Sequence, residues 1–276
     1  MSISAKDVKR LRDLTGVGMM DCKKALTEAE GDFDAAIDLL RKKGQKVAAK
    51  RAEKSANEGL VLTAVSEDGK RGAIVEINCE TDFVARSDDF TAFANEVAKI
   101  ALDAGTANLD ALLAADFQGQ GSVSEAVNTV TGKVGEKVEV RRVQLLESNE
   151  GTVVPYIHPG SRLGVLVEMH GNGNSNDAGR DVAMQVAALN PIATRSDEVP
   201  QETQDKELRI GRETAIEEGK PEHIVDKIAQ GKLKRFFKDN VLVEQPFVKD
   251  SSKTVQEMLN EAGVDVKRFL RFALGD

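Results

Sequence analysis

The chain repeats itself, and that repeat limits its fold more than any other feature of its 276 residues. Glu58-Gly59-Leu60-Val61 lines up with Glu150-Gly151-Thr152-Val153 at a shift of 92 residues. At the same shift Gly72-Ala73-Ile74-Val75-Glu76-Ile77 lines up with Gly164-Val165-Leu166-Val167-Glu168-Met169. These runs carry β-branched residues and flank the turns Glu67-Asp68-Gly69-Lys70 and His158-Pro159-Gly160-Ser161, so each half predicts a β-hairpin. A helix is expected after each, from Ser87 to about Ala104 and from about Asp177 to Leu189, the second stopped by Asn190-Pro191. A third strand closes each half, Val138 to Val143 matching Val264 to Phe269, now at a shift of 126.

That shift is 34 residues larger, so the second half carries an insertion, placed between Arg195 and Asn240. Pro200 to Gly219 and Pro221 to Asp239 read as two charged helices forming an antiparallel hairpin. Its apolar stripe is thin (Leu208, Ala215, Ile224, Ile228, Leu233), which predicts a hairpin that projects from the body. Such a projection either meets a partner or is a plain appendage. The body is therefore expected to be α+β, with two duplicated subdomains of small antiparallel sheets covered by helices. They span residues 58–147 and 148–276, with the hairpin at about 200–239.

Ahead of the repeat, residues 1–44 read as three short helices. Ser4 and Asp7 give a capping-box-like start, and Val8, Leu11 and Leu14 form a stripe. After the turn Gly16-Val17-Gly18 come Met19, Cys22, Ala25 and Leu26. Gly31-Asp32 breaks that second helix, a third has Phe33, Ala36, Ile37 and Leu40 inward, and Gly44 is expected to stop it. The module looks like a ubiquitin-associated-type bundle; docking and a plain helical cap are equally open readings. Residues 45–57, basic and Ala-rich, read as a solvated helical linker.

The two halves differ at one corner. Where the first has Glu80-Thr81-Asp82-Phe83-Val84, the second has Gly171-Asn172-Gly173-Asn174-Ser175. Both loops join a strand to a helix, so folding alone does not demand an Asp-Phe pair, and loops on rigid scaffolds are where binding residues sit. The bland alternative tucks Phe83 into the local core and bonds Asp82 to nearby amides.

Composition removes other classes. A net charge of −8 disfavours a general nucleic-acid binder. No apolar run approaches the roughly 20 residues that cross a bilayer, and Met1-Ser2-Ile3-Ser4-Ala5-Lys6 lacks a signal-peptide pattern. The two cysteines, Cys22 and Cys79, read as reduced thiols, and the expected location is the cytoplasm. There is no phosphate-cradling loop, dinucleotide fingerprint or nucleophile elbow, and His158, His170 and His223 are scattered. His170 reads as a satisfied strand-end residue, and His158, on a turn with Tyr156, as structural or as an interface residue. No catalytic site, metal site or cofactor is expected.

With those pieces placed, Leu11-Arg12-Asp13-Leu14-Thr15-Gly16-Val17-Gly18-Met19-Met20-Asp21-Cys22-Lys23-Lys24-Ala25-Leu26 is similar to the first signature of bacterial elongation factor Ts. Glu76 to Ala85, containing Thr81-Asp82-Phe83-Val84, resembles that family's second signature, and the likeness covers nearly the whole chain. The resemblance implies a guanine-nucleotide exchange factor for elongation factor Tu, with no direct nucleotide, nucleic-acid or membrane binding. It implies that Asp82 and Phe83, within Thr81–Val84, enter the partner's GTPase domain, displace Mg²⁺ and release GDP. By position, Met19 and Met20 would join the contact with that domain, and His158 a contact with another domain. Some family members continue into a C-terminal helix that docks on the partner; this sequence ends at Leu274-Gly275-Asp276, and that contact is expected to be missing. A reading from a different class is an adaptor or chaperone-like scaffold that docks through residues 1–44.

Overall fold

The computed structural model describes residues 3–276; Met1 and Ser2, part of the start read above, lie outside the described residues. The chain opens with α1 (Ala5–Thr15), α2 (Met19–Glu28) and α3 (Phe33–Arg51). Ser4 and Asp7 close a full capping box on α1, and Gly16 ends it in the left-handed conformation. Val8, Leu11, Cys22, Ala25, Leu26, Ala36 and Leu40 form its small buried core.

Gly44 does not stop α3, which runs on to Arg51. The glycine answers to a neighbour instead. A Cβ placed on it would lie 2.8 Å from the Asn128 carbonyl, and one on Gly132 would lie 2.7 Å from the Gly44 Cα. Two helices cross backbone to backbone there, which only a side chain of no size permits. In the segment read as a solvated helical linker, residues 45–51 continue α3, and none of their side chains is buried.

The first half follows as β1 (Glu58–Val65), β2 (Arg71–Cys79), the short α4 (Asp82–Ala85), α5 (Asp88–Ala104), α6 (Leu109–Ala114), α7 (Val123–Val134) and β3 (Val138–Glu147). The second has β4 (Thr152–Ile157), β5 (Leu163–Gly171), α8 (Ser175–Leu189), α9 (Gln201–Glu217) and α10 (Glu222–Asn240). It closes with a two-stranded ribbon, β6 (Pro246–Phe247) and β7 (Asp250–Thr254), then α11 (Val255–Ala262) and β8 (Val264–Ala273). The fold is α+β, with antiparallel sheets ordered β1-β2-β3 and β4-β5-β8. In each sheet alternate side chains face the covering helices: Ala73, Val75, Ile77 and Cys79 meet Phe90, Phe93 and Val97 of α5. Phe90 is fully buried and contributes about 2 kcal/mol through burial.

The repeat extends to the register of the sheets. Leu60 pairs Ile77 as Thr152 pairs Met169, and the closing strands β3 and β8 each bulge at the same place, with Arg141 left unpaired opposite Glu76–Ile77 and Lys267 opposite Glu168–Met169. The opposite sheet faces pack on each other through Val61, Ile74 and Leu146 from one half and Val153, Leu166 and Phe272 from the other. These six are three pairs of equivalent positions, so the halves meet about a pseudo-twofold axis. Backbone bonds obey the same symmetry: Val61 N–H donates to the Ser161 carbonyl and Val153 N–H to that of Gly69, each at 2.7 Å. Arg142 bonds Glu76 at 2.6 Å and the Ala273 carbonyl at 3.0 Å; its counterpart Arg268 bonds Glu168 at 2.8 Å and the Glu147 carbonyl at 2.7 Å. Each half supplies an arginine that fastens the last strand of the other.

The insertion is the α9–α10 hairpin. It is joined along Gly211, Ala215, Val225, Ala229 and Leu233, where a Cβ on Gly211 would lie 3.0 Å from the Ala229 Cα. The predicted stripe found Ala215 and Leu233 but missed the small residues that let the helices touch. At its root Phe236 and Phe237 pack on the second half's core.

Candidate functional site

The Thr81–Val84 corner is built by its neighbours before any partner is considered. Cys79 ends β2 facing the core, and its thiol donates to the Thr81 carbonyl at 3.2 Å. Burial, then the negative charge of Glu136, pushes that thiol up to about 12, so at neutral pH it stays a protonated donor. Thr81 is the N-cap of α4, its hydroxyl accepting from Val84 N–H. The same hydroxyl donates to Glu136 Oε1 at 2.8 Å while the Thr81 backbone N–H donates to Oε2 at 3.0 Å. Ser87 then caps α5, accepting from Phe90 N–H as its spacing predicts.

This geometry leaves Phe83 on the outside. It is 83% exposed, the largest exposure among the large hydrophobic side chains described, while Ala85 two positions on is buried. Phe83 therefore does not tuck into the local core. Asp82 is half exposed and pairs with Arg86 one turn on, at 3.1 Å. Val84 is partly buried against the first core.

The other candidate residues are placed by contacts that their neighbours make with the first half. The His158–Ser161 turn lies against β1 through the Ser161 carbonyl, and Arg162 beside it pairs with Glu58, the register partner of Cys79. His158 is exposed and bonds Tyr156 Oη at 2.9 Å. Met19 and Met20, 42% and 64% exposed, open α2 just after Gly16, which sits against the Lys133 side chain. Lys133 in turn pairs with Asp89 on the first turn of α5, at 2.6 Å. His170 lies elsewhere, bonded to Glu168 at 2.8 Å, a satisfied residue as read.

Among the described residues no group of His, Cys, Asp and Glu is arranged to hold a metal ion, and no helix is long and apolar enough to cross a membrane. Both cysteines are free and buried. Sequence reasoning missed Glu80 and Glu136. Glu136 lies 55 residues from Thr81, and nothing in the sequence marks it as that residue's acceptor.

A family model described as Elongation factor TS matches residues 80–276, well over half the chain. The chain belongs to the elongation factor Ts family. Full-length relatives bear that name: one from Prosthecochloris aestuarii is 49% identical over 284 residues, covering 99% of both chains. Another, from Alkalilimnicola ehrlichii, is 49% identical and covers all of this chain and 93% of its own. A third, from Chloroherpeton thalassium, is 46% identical over 99% of both. The helices before residue 80 fall outside the family-model match but inside these full-length alignments, so likeness to the family extends over α1–α3 as well.

Proposed function

We propose that this chain is the guanine-nucleotide exchange factor of elongation factor Tu, and that Phe83 and Asp82 are its working pair. The observation that carries the reading is the mounting of Phe83. A bare aromatic side chain, 83% exposed, stands on a corner whose backbone is held by a core cysteine and a clamping carboxylate. A single exposed apolar side chain is ordinary by itself; the built mount beneath this one is what supports the reading. An aromatic anchor entering a partner's pocket is the usual form of an interface hot spot, worth about 2 kcal/mol or more on truncation.

In this reading Phe83 wedges into the GTPase domain near its nucleotide, and the Asp82 carboxylate disturbs the charge balance that holds Mg²⁺ and phosphate there. Thr81 and Val84 hold the pair in place. Met19 and Met20 add contacts from the N-terminal helices, and His158 from the second half. Residues 1–44 act as a docking module, and the two halves of the repeat as a core working in the cytoplasm. No covalent bond is made or broken, and no cofactor is needed. Exchange is negative coupling between two ligands of one protein, so the factor is itself held more weakly whenever GDP is bound.

The test is release of fluorescent GDP from elongation factor Tu, comparing the unchanged chain with Phe83→Ala and Asp82→Ala. The expected result is fast release with the unchanged chain and release at least tenfold slower with Phe83→Ala at saturating factor. If the variant matches the unchanged chain, exchange comes from the docking surfaces. If the unchanged chain is inert, the exchange reading is lost, and the scaffold that docks through residues 1–44 replaces it.

A further inference from the structure

We propose that Glu136 and Glu80 are positioning residues that hold the Thr81–Val84 corner raised before any partner arrives, and that through Arg51 they tie it to the helix carrying the N-terminal bundle. The proposal rests on the exchange reading above and extends it to Glu136 and Arg51, which lie outside the two sequence signatures, and to Glu80 within the second. Four donor groups make five contacts to two carboxylates. Glu136 takes the backbone N–H and the hydroxyl of Thr81, one on each oxygen, at 3.0 and 2.8 Å. Glu80 takes the Lys137 backbone N–H at 2.6 Å and two contacts from the Arg51 guanidinium at 3.1 and 3.4 Å.

The two bonds on Glu136 define a direction. A carboxylate that binds both donors of one residue fixes that residue's backbone and its χ1 rotamer together. Thr81 so fixed presents its hydroxyl to Val84 N–H, which starts α4 and sends Phe83 outward. Without Glu136 the cap residue can turn, and α4, a single turn of four residues, has little else to define it. Charge-assisted bonds of this kind, partly screened from water, are stronger than neutral ones.

The same corner is where the bundle is attached. Arg51 ends α3, the helix that starts in the N-terminal core and crosses α7 at Gly44 and Gly132. Glu136 and Lys137 lie at the exit of α7, just past its terminal Gly135. One helix, α7, thus carries the bundle at its middle and the loop at its end. The distance between Met20 and Phe83 is set by a continuous packed path, with no flexible linker in it. This arrangement turns two contact regions into one rigid template, which lowers the ordering cost of engaging a partner at both.

The experiment measures GDP release from elongation factor Tu against factor concentration, for Glu136→Ala, Thr81→Val, Thr81→Ser and the double variant Glu136→Ala/Thr81→Val. Amide hydrogen exchange is read on each factor alone. Both single variants are expected to lower the saturated release rate about tenfold while moving half-saturation less than about threefold. Thr81→Ser, which keeps both donors, should recover to within about twofold, and the double variant should fall short of the product of the singles. In the free factor the Thr81 and Val84 amides should be protected in the unchanged chain and exposed in Glu136→Ala, with the α5 amides unaltered. Unchanged release rates in Glu136→Ala, or no recovery in Thr81→Ser, would overturn the proposal. Should the unchanged chain fail to speed release, the exchange reading fails; loss of amide protection still upholds the clamp, and equal protection refutes it.

Discussion

A phenylalanine with four-fifths of its surface in water contributes little to the fold that displays it. Phe83→Ala should therefore leave thermal stability within about 0.5 kcal/mol of the unchanged chain. Calorimetry checks this, and a larger loss would mean the ring packs locally after all. Its neighbour Asp82 is paired with Arg86 in an exposed ion pair worth at most about 1 kcal/mol, so Arg86→Ala should be nearly silent in stability. Thr81, Asp82, Phe83 and Val84 were legible as a candidate site because the equivalent loop of the second half lacks them. Glu136 was not, because a side-chain bond spanning 55 residues leaves no periodic trace. Sequence shows which residue types occupy a corner; what holds that corner is visible only once distant strands and helices are side by side.

At the scale of elements, the sequence signals were strong where they were local and weak where they depended on a neighbour. The caps at Ser4, Ser87 and Asn190 end or begin helices where they were expected to. Gly44 was misread because a glycine that stops a helix and a glycine that admits another helix look the same in a single chain. The two cases are separated by one substitution. In an ordinary helix interior Gly→Ala stabilises by about 1 kcal/mol. Here Gly44→Ala puts a methyl group 2.8 Å from the Asn128 carbonyl, and it should destabilise by about 1 to 3 kcal/mol. Thermal unfolding decides it, and a gain in stability would remove the close crossing. The hairpin stripe was misjudged for a related reason: Gly211 and Ala229 give close contact between helices without giving hydrophobicity.

At the scale of the whole molecule, the paired arginines make each half depend on the other. Arg268 holds the buried Glu168 and reaches the Glu147 carbonyl, so Arg268→Met strips a buried carboxylate of its main cation and frees the end of β3. The cost should be about 3 kcal/mol at neutral pH. Burial pushes the Glu168 carboxyl up, but bonds from His170, Arg268 and Ser148 together outweigh it and hold the carboxyl below its ordinary value of 4.5. A carboxylate depressed on folding adds stability above its unfolded value, and that stability is lost as pH falls through the lower folded one. The gap between the unchanged chain and Arg268→Met should therefore narrow below about pH 4.5. Urea melts at neutral and acid pH measure this, and a gap independent of pH would show that Glu168 is not the group involved. The duplication itself could be read from glycines, valines and a glutamate at fixed spacing, because twin sheets need the same residues at the same register.

The pseudo-twofold axis also speaks to ancestry. Contacts exchanged reciprocally between equivalent residues are the mark of an isologous interface, in which one surface meets its own copy. A single chain whose halves grip each other in that way has the architecture of a homodimer fused end to end. Fusion frees two once-identical corners to diverge, which no symmetric dimer can do through mutation of one gene. One corner here became a run of glycine and asparagine, packed closely on the end of α11, and the other acquired Phe83.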